Sequence, residues 1–229
     1  MPKTILKYLV FFTLLFTIPI CAQLGIKAGI SISALQSSEE DYRPFLGYEV
    51  TWLQDGISNP VFGLQLGMFY TLKLSDEFYL QPELYFTQRG YQFDQTPLYN
   101  INYSLRINYL ELPILFEYRL PFDWSFNPVI TAGPFTALKL SSDKNIRTED
   151  EEISGDVSSV DDMDYGLVFA LGAELPAFNG QLIFDLRVNW GLANIMRQPD
   201  EYINLSDDPG TVKTHVITLM TGYRFNLDW

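Results

Sequence analysis

The sequence predicts an all-β protein, an eight-stranded antiparallel up-and-down transmembrane β-barrel with short periplasmic turns and long extracellular loops. Three observations predict this fold class. Apolar and polar residues alternate with a period of two along most of the 229-residue chain. The alternating segments are long, and short and long connections between them alternate. With 15% aromatic and only 19% charged residues, the chain is too apolar to be disordered.

Eight segments show the alternation, and most of them reach ten residues or more. In one of them, Leu84 lies on one face and Glu83 on the other. A tilted strand that crosses a bilayer needs about 9–11 residues, so these lengths suit membrane strands. Such strands must close into a barrel, because an open edge in lipid leaves backbone groups unpaired. The predicted strands are 24–34, 62–74, 78–89, 108–120, 126–140, 165–175, 182–192 and 217–227.

The connections between these strands differ in length on the two sides of the predicted barrel. Short turns with long loops opposite them are typical of outer membrane barrels, in which the short turns are periplasmic. Aromatic residues cluster near the strand ends, as expected for girdles at the two membrane interfaces. The predicted short turns are 75–77, 121–123 and 176–180, and the predicted long polar loops are 90–105, 141–164 and 194–214.

Residues 35–60 allow two interpretations. Residues 44–53 form either a ninth membrane strand or a short strand or hairpin arm inside a long first loop. An odd strand number would place the two chain ends on opposite sides and the turn at 75–77 outside the cell. The interpretation with eight membrane strands is therefore preferred.

The first 22 residues are predicted to be a secretory signal peptide, and residues 23–229 the outer membrane barrel domain. Lys3 and Lys7 precede an apolar run that is too short to span a bilayer comfortably, and Ala22 is a plausible cleavage position. A lipoprotein signal that uses Cys21 is the alternative. It is disfavoured because the preceding Ile20 is bulky.

Five phrases of the chain, in order from about Gly25 to the C-terminus, carry a family resemblance: FYLQPELYFTQRG, INYLELPILFEYRL, VITAGPF, DYGLVFALGAEL and GYRF. Together they resemble the PorT-type outer membrane β-barrel family of Bacteroidetes. The resemblance implies a small barrel in a bacterial outer membrane. The namesake member of the family assists a protein secretion system, and the resemblance implies no active-site residues. The segment 35–60 is longer than the usual first loop of the family.

One face of the predicted strands carries charges of both signs, and this face is expected to line the barrel interior. Eight strands enclose a lumen only just wide enough for their own side chains. The charges are therefore expected to form a structural network of ion pairs and hydrogen bonds. The alternatives are a catalytic carboxylate pair and a narrow ion path. A catalytic pair needs a shaped substrate cleft, and the sequence pattern indicates none. The predicted network consists of Lys27, Glu83, Arg89, Glu111, Glu117, Arg119, Glu174, Asp185, Arg187 and Arg224.

The sequence predicts no catalytic residue, no metal site and no cofactor. One Cys and one His are too few for a Cys/His zinc site, which needs about four ligands. No motif supports Ser104 or Ser206 as a nucleophile for His215. The acidic segment 143–164 is expected to be a solvated loop, with weak divalent-cation binding or cation bridging to lipopolysaccharide as the alternatives.

The net charge of −13 would repel a phosphate backbone, so no nucleic-acid partner is expected. The expected partners are outer membrane lipid and, through the loops, envelope or secretion proteins, and the chain is expected to be a monomer. The sequence thus favours a small non-enzymatic barrel with a structural or binding role through its extracellular loops. The alternatives are an accessory of secretion or transport, a lipid-modifying enzyme and a soluble carrier.

Overall fold

The computed structural model describes residues 22–37, 59–96, 99–147, 152–157, 160–195 and 212–226, and these form nine antiparallel strands. Eight of them close into a barrel, because β4 pairs with β5 and β9 pairs back to β1. The predicted fold class is thereby confirmed. The strands are β1 (Ala22–Ser37), β2 (Asn59–Lys73), β3 (Phe78–Thr96), β4 (Tyr99–Arg119), β5 (Asn127–Arg147), β6 (Glu152–Asp156), β7 (Met163–Ala177), β8 (Gly180–Gly191) and β9 (Val212–Phe225).

Side chains alternate between the two faces of the barrel wall, as the period-two pattern predicts. Leu84 points outward and is 40% exposed, whereas Glu83 points inward and is 2% exposed. The outward apolar side chains form a band around the barrel, which we call the lipid belt. Such a band is the surface that a membrane covers. The lipid belt includes Leu64, Leu66, Met68, Leu84, Phe86, Leu110, Leu112, Ile114, Phe116, Ile130, Leu167, Phe169, Leu171, Phe184, Leu186, Ile217 and Leu219.

One end of the barrel, the short-turn end, carries the connections β2–β3, β4–β5 and β7–β8. The last of these is a two-residue turn in which Phe178 adopts a positive φ of 52°. Aromatic pairs stand near this end, with ring centroids 4.8 Å apart for Phe78 and Tyr118 and 5.0 Å apart for Tyr223 and Phe225. We call the opposite end the long-loop end.

The prediction of a long polar loop at 90–105 is wrong. Strand β3 runs to Thr96 and β4 begins at Tyr99, and their pairing continues through Gly90↔Arg106 and Gln92↔Ser104. The polarity of the alternation inverts beyond the lipid belt, so that Ile107 is buried inside while Arg106 is exposed outside. In the sequence, this inversion has the same pattern as the end of a membrane strand, although the backbone remains extended and paired.

The prediction of a loop over 141–164 is also wrong for most of its length. Strand β5 continues to Arg147, and the short β6 pairs back onto it from Asp143↔Asp156 to Arg147↔Glu152. Every residue of β6 is exposed, so no alternation marks it in the sequence. Strands β3, β4, β5 and β6 therefore form a sheet that extends past the lipid belt, which we call the extended sheet.

Some predictions fall on residues that the structure does not describe. Nearly all of the predicted signal peptide, the segment 44–53 and residues 196–211 of the predicted last loop lie outside the described ranges. None of the described residues belongs to a helix long and apolar enough to cross a membrane.

Candidate functional site

The structure places all ten residues of the predicted network on the inward face of the barrel. Nine are buried, and the side chain of Arg119 is 16% exposed. An eleventh charged residue, Asp164, joins them at 0% exposure. The eleven residues form three layers, stacked from the short-turn end to the long-loop end.

The middle layer is a balanced group of two cations and two carboxylates. Arg187 donates two hydrogen bonds to Glu83, with N–O distances of 2.6 and 3.0 Å. Lys27 Nζ lies 2.6 Å from Asp185 Oδ2 and 3.5 Å from Glu83 Oε1. Because each buried charge has at least one partner of opposite sign, the desolvation cost of the group is offset.

The layer at the short-turn end is balanced in the same way. Arg119 Nε lies 3.0 Å from Glu117 Oε1 and 3.1 Å from Glu174 Oε2. Arg224 Nη2 lies 2.6 Å from Glu174 Oε1 and 3.3 Å from Glu117 Oε2. Each carboxylate therefore bridges both arginines, and the two carboxylates are held together despite their like charge.

The layer at the long-loop end is centred on Arg89, whose guanidinium pairs with Glu111 and, at 2.6 Å, with Asp164. Neutral donors complete the coordination of the two carboxylates. Asn189 Nδ2 donates to Glu111 Oε1 at 2.7 Å, and the Thr214 hydroxyl donates to Asp164 Oδ2 at 2.7 Å. This layer holds one more carboxylate than cations, so the hydrogen bonds share in stabilising it.

Sequence reasoning missed Asp164 because it closes the acidic run of 143–164 and was counted with that segment. Its position gives the signal that finds it. Asp164 stands two residues before Gly166 and four before Val168, in phase with the buried face of β7. If the alternation of β7 is extended by one step toward the N-terminus, Asp164 falls on the face that points into the lumen.

Aromatic rings separate the charged layers. The Phe69 ring lies between the middle and short-turn layers, with Lys27 Nζ 4.7 Å and the Arg224 guanidinium carbon 5.6 Å from its centroid. The ring fits because Gly25 stands beside it, where a Cβ would collide with the ring atoms. Alternating large and small side chains is how a narrow barrel fills its interior.

An apolar group closes the lumen above the three layers, and we call it the apolar plug. It contains inward residues of the extended sheet, among them Leu105 and Ile107, together with Val157, Val160 and Ile195 from the connecting segments. All five are buried. Sequence analysis missed this group because four of these residues fell in predicted loops and Ile107 fell between a predicted loop and a predicted strand.

The described residues do not assemble the site that the enzyme alternative or the metal alternative requires. His215 is on β9 beside Trp190, with ring centroids 5.8 Å apart, whereas Ser104 is on β4, whose neighbours are β3 and β5. Ser206 lies outside the described residues. Within the described ranges, no group of three or more His, Cys, Asp or Glu residues is placed to hold a metal ion.

A second feature is a groove of about 590 Å³ on the extended sheet, which we call the outer groove. A ladder of side chains crosses three strands at its base. Gln88 Nε2 donates to Asn108 Oδ1 at 3.2 Å, and Asn108 Nδ2 donates to Ser141 Oγ at 2.9 Å. The outer groove is lined by Gln88, Gln92, Ser104, Arg106, Asn108, Asp143, Lys144, Asn145, Arg147 and Ser154.

The rim of the outer groove is held by an exposed polar cluster. Glu152 accepts a hydrogen bond from Asn145 at 2.7 Å and pairs with Arg147 at 3.3 Å. The hydrogen bond from Asn145 and the positive charge of Arg147 lower the pKa of Glu152 below its usual range. These contacts join β6 to β5 at the tip of the extended sheet.

Comparisons with known proteins agree with this architecture. The family described as outer membrane protein beta-barrel domain matches residues 19–197. A comparison with curated proteins found no match.

Three solved structures are similar to the chain, and each covers 90% of it. They are Ail, the attachment invasion locus protein of Yersinia pestis (14% identity, TM-score 0.41, 100% of that chain), Neisserial surface protein A (14%, 0.46, 99%) and OprG from Pseudomonas aeruginosa (15%, 0.48, 97%). On the match to the family over most of its length, the chain belongs to the outer membrane protein β-barrel domain family and is a bacterial outer membrane protein.

Proposed function

We propose that the protein is a non-enzymatic outer membrane barrel with a binding role at its extracellular end, and that the long-loop end is that end. One observation carries the proposal: inside the barrel the described inward side chains pack into three charged layers and the apolar plug, whereas the extended sheet holds an open polar groove. A surface that holds a concave polar site is the part of such a molecule that is able to meet a partner.

The filled lumen supports a structural role for the network residues. Glu83 and Arg187 are fully buried and paired with each other, so neither is open to a substrate. The same holds for Glu117 and Glu174, whose oxygens face Arg119 and Arg224. General acid–base work needs a group within reach of a bound substrate. We therefore assign the three layers to bracing the barrel wall.

The second candidate is an accessory role in protein secretion or transport, which the resemblance to the PorT-type family of Bacteroidetes favours. A filled barrel would serve such a role by contact and not as a conduit. The extended sheet would then bind another envelope protein. Both candidates place the working surface at the same end of a monomeric barrel.

Site-specific cross-linking in the native outer membrane tests the proposal. A photo-reactive amino acid at Ser154, on the outer groove, is expected to capture a lipid or protein of the envelope. The matched control at Phe122 stands at the short-turn end, where its side chain is also exposed. Absence of any product from Ser154, or the same products from both positions, would contradict a binding role for the long-loop end.

A further inference from the structure

The outer groove begins where the lipid belt ends. Gln88 follows Phe86 by two residues on the outward face of β3, and Asn108 precedes Leu110 by two on β4. Phe86 and Leu110 are exposed apolar residues, whereas Gln88 and Asn108 are joined by a hydrogen bond. The groove thus opens at the edge of the lipid belt on the side of the long-loop end.

The lining of the groove is rich in hydrogen-bonding groups. Its ten residues include three cations, Arg106, Lys144 and Arg147, and one carboxylate, Asp143. The other six are amides and hydroxyls. Arg147 pairs with Glu152, and Lys144 stands opposite the buried Leu105 on the inward face, so Arg106 is the cation that the groove presents. Guanidinium groups and amides are the donors that bind phosphates and sugar hydroxyls.

Arg106 is the residue best placed to bind an anion. Its side chain is exposed, and it makes no ion pair with another residue in the part of the chain that the structure describes. It faces Asp143 across the β4–β5 register, whereas Arg147 already pairs with Glu152.

We propose that the outer groove binds the phosphorylated saccharide headgroup of an outer-leaflet lipid, whose acyl chains lie on the adjoining lipid belt. This inference rests on the proposed function, because it names the partner of the same surface. Continuity of the groove with the lipid belt supports a lipid: a single amphiphile would cover Phe86 and Leu110 with its chains and the ladder above them with its head. Arg106 would bind a phosphate, and the amides would bind hydroxyl groups.

The composition of the groove favours this occupant over a protein. Interfaces between proteins are centred on buried aromatic anchors and their pockets. None of the lining residues whose side chains the structure describes is aromatic. A polar concavity without an apolar centre suits a hydroxylated and anionic headgroup.

The test is a binding titration of the full chain in detergent with fluorescent lipopolysaccharide that lacks O-antigen. Arg106→Gln is compared with Lys213→Gln, which removes a cation at the long-loop end on β9, away from the groove. We expect Arg106→Gln to weaken binding about tenfold, because a charge-assisted hydrogen bond is lost. Lys213→Gln should bind as the wild type does, and dephosphorylated lipopolysaccharide should bind more weakly than the phosphorylated form. Heat-modifiable mobility on gels verifies that each variant is folded.

Three results would overturn the inference. Equal weakening by both variants would mean that net charge alone attracts the ligand. Equal binding of phosphorylated and dephosphorylated lipopolysaccharide would remove the role of the phosphate. Competition by inorganic phosphate as effective as that by lipopolysaccharide would indicate an anion site without lipid. If cross-linking from Ser154 yields a protein while the titration fails, the proposed binding function stands and only its lipid partner is wrong.

Discussion

Glu83 and Arg187 join opposite walls of the barrel. Glu83 lies on β3 and Arg187 on β8, which are four steps apart around the eight-stranded ring in either direction. Their two hydrogen bonds measure 2.6 and 3.0 Å, and both side chains are fully buried. The pair therefore spans the lumen and ties together strands that share no backbone hydrogen bond.

Removing one member of this pair should destabilise the barrel strongly. Glu83→Gln leaves Arg187 without its bidentate partner, and breaking a buried pair from one side costs about 3–5 kcal/mol. The double variant Glu83→Gln with Arg187→Gln keeps the Lys27–Asp185 pair at 2.6 Å and leaves the layer neutral. We expect the double variant to lose less free energy of unfolding than the sum of the two single variants.

The measurement is urea unfolding in lipid vesicles, analysed as a double-mutant cycle. Additive losses would contradict direct pairing across the lumen. The variant Lys213→Gln serves as the control, because it changes one charge outside the lumen.

The protein should form no stable conductance in a planar bilayer at physiological salt. The three charged layers and the apolar plug occupy the lumen along its length, and an eight-stranded barrel has little room beyond its own side chains. Recordings from purified monomer test this. Reproducible porin-like steps that scale with protein concentration would show that the filled lumen is not the state in the bilayer.

The membrane part of the fold could be predicted from the sequence because one rule, the alternation of inward and outward residues, applies throughout it. Along β3, each inward residue such as Glu83 is followed by an outward residue such as Leu84. The pattern is regular because the outward residues contact lipid and the inward residues include the charges of the lumen. Beyond the membrane the solvent changes, and Arg106 outside with Ile107 inside obeys the opposite rule. A prediction that expects apolar residues on the outward face therefore ends the strand at the membrane boundary, although the strand continues.

The partners within the lumen were beyond sequence reasoning for a different reason. Alternation identifies which residues point inward, but pairing depends on the height of each residue and on its strand's place around the ring. Glu83 meets Arg187, 104 residues away, because β3 and β8 are opposite one another in a closed barrel. The closure could be predicted from the length and polarity of the strands, but the stagger that sets the height of each residue cannot be derived from a local pattern.

Cysteine labelling should establish the orientation of the barrel. Ser154 is exposed on β6 at the long-loop end, and Phe122 is exposed at the short-turn end. In intact cells, Ser154→Cys should react with a membrane-impermeant maleimide and Phe122→Cys should not. Both should react after the outer membrane is permeabilised. Labelling of Phe122→Cys alone in intact cells would reverse the orientation and place the outer groove in the periplasm.

Acid should loosen the tip of the extended sheet. Hydrogen bonding from Asn145 and the charge of Arg147 lower the pKa of Glu152. At pH values above the usual pKa of a glutamate, the ionised Glu152 therefore stabilises the pairing of β5 with β6. That contribution is lost as the pH falls through the lowered pKa. A spin label at Ser154 should therefore become more mobile in acid than at neutral pH. The variant Glu152→Gln should show the same mobility at both pH values, and a pH response that survives in it would assign the effect to another group.

The last prediction tests which face of β3 contacts lipid. Leu84 is in the middle of the lipid belt and 40% exposed, so Leu84→Arg should place a charge in the bilayer at a cost of about 2–4 kcal/mol near mid-depth. Leu84→Ile keeps the apolar surface and should refold into vesicles as the wild type does. The two variants differ only in what they present to lipid, because Leu84 makes no part of the lumen network.

Quenching by brominated acyl chains gives an independent measurement of the same face. In a background whose four native Trp residues are replaced by Phe, a Trp at position 84 should be quenched. A Trp at position 85, which replaces a fully buried inward Tyr, should not be. A soluble carrier would bury its apolar residues inside, so it would also reject Leu84→Arg, but it would show no quenching at 84. Equal or reversed quenching at 84 and 85 would mean that the two faces of β3 are assigned wrongly.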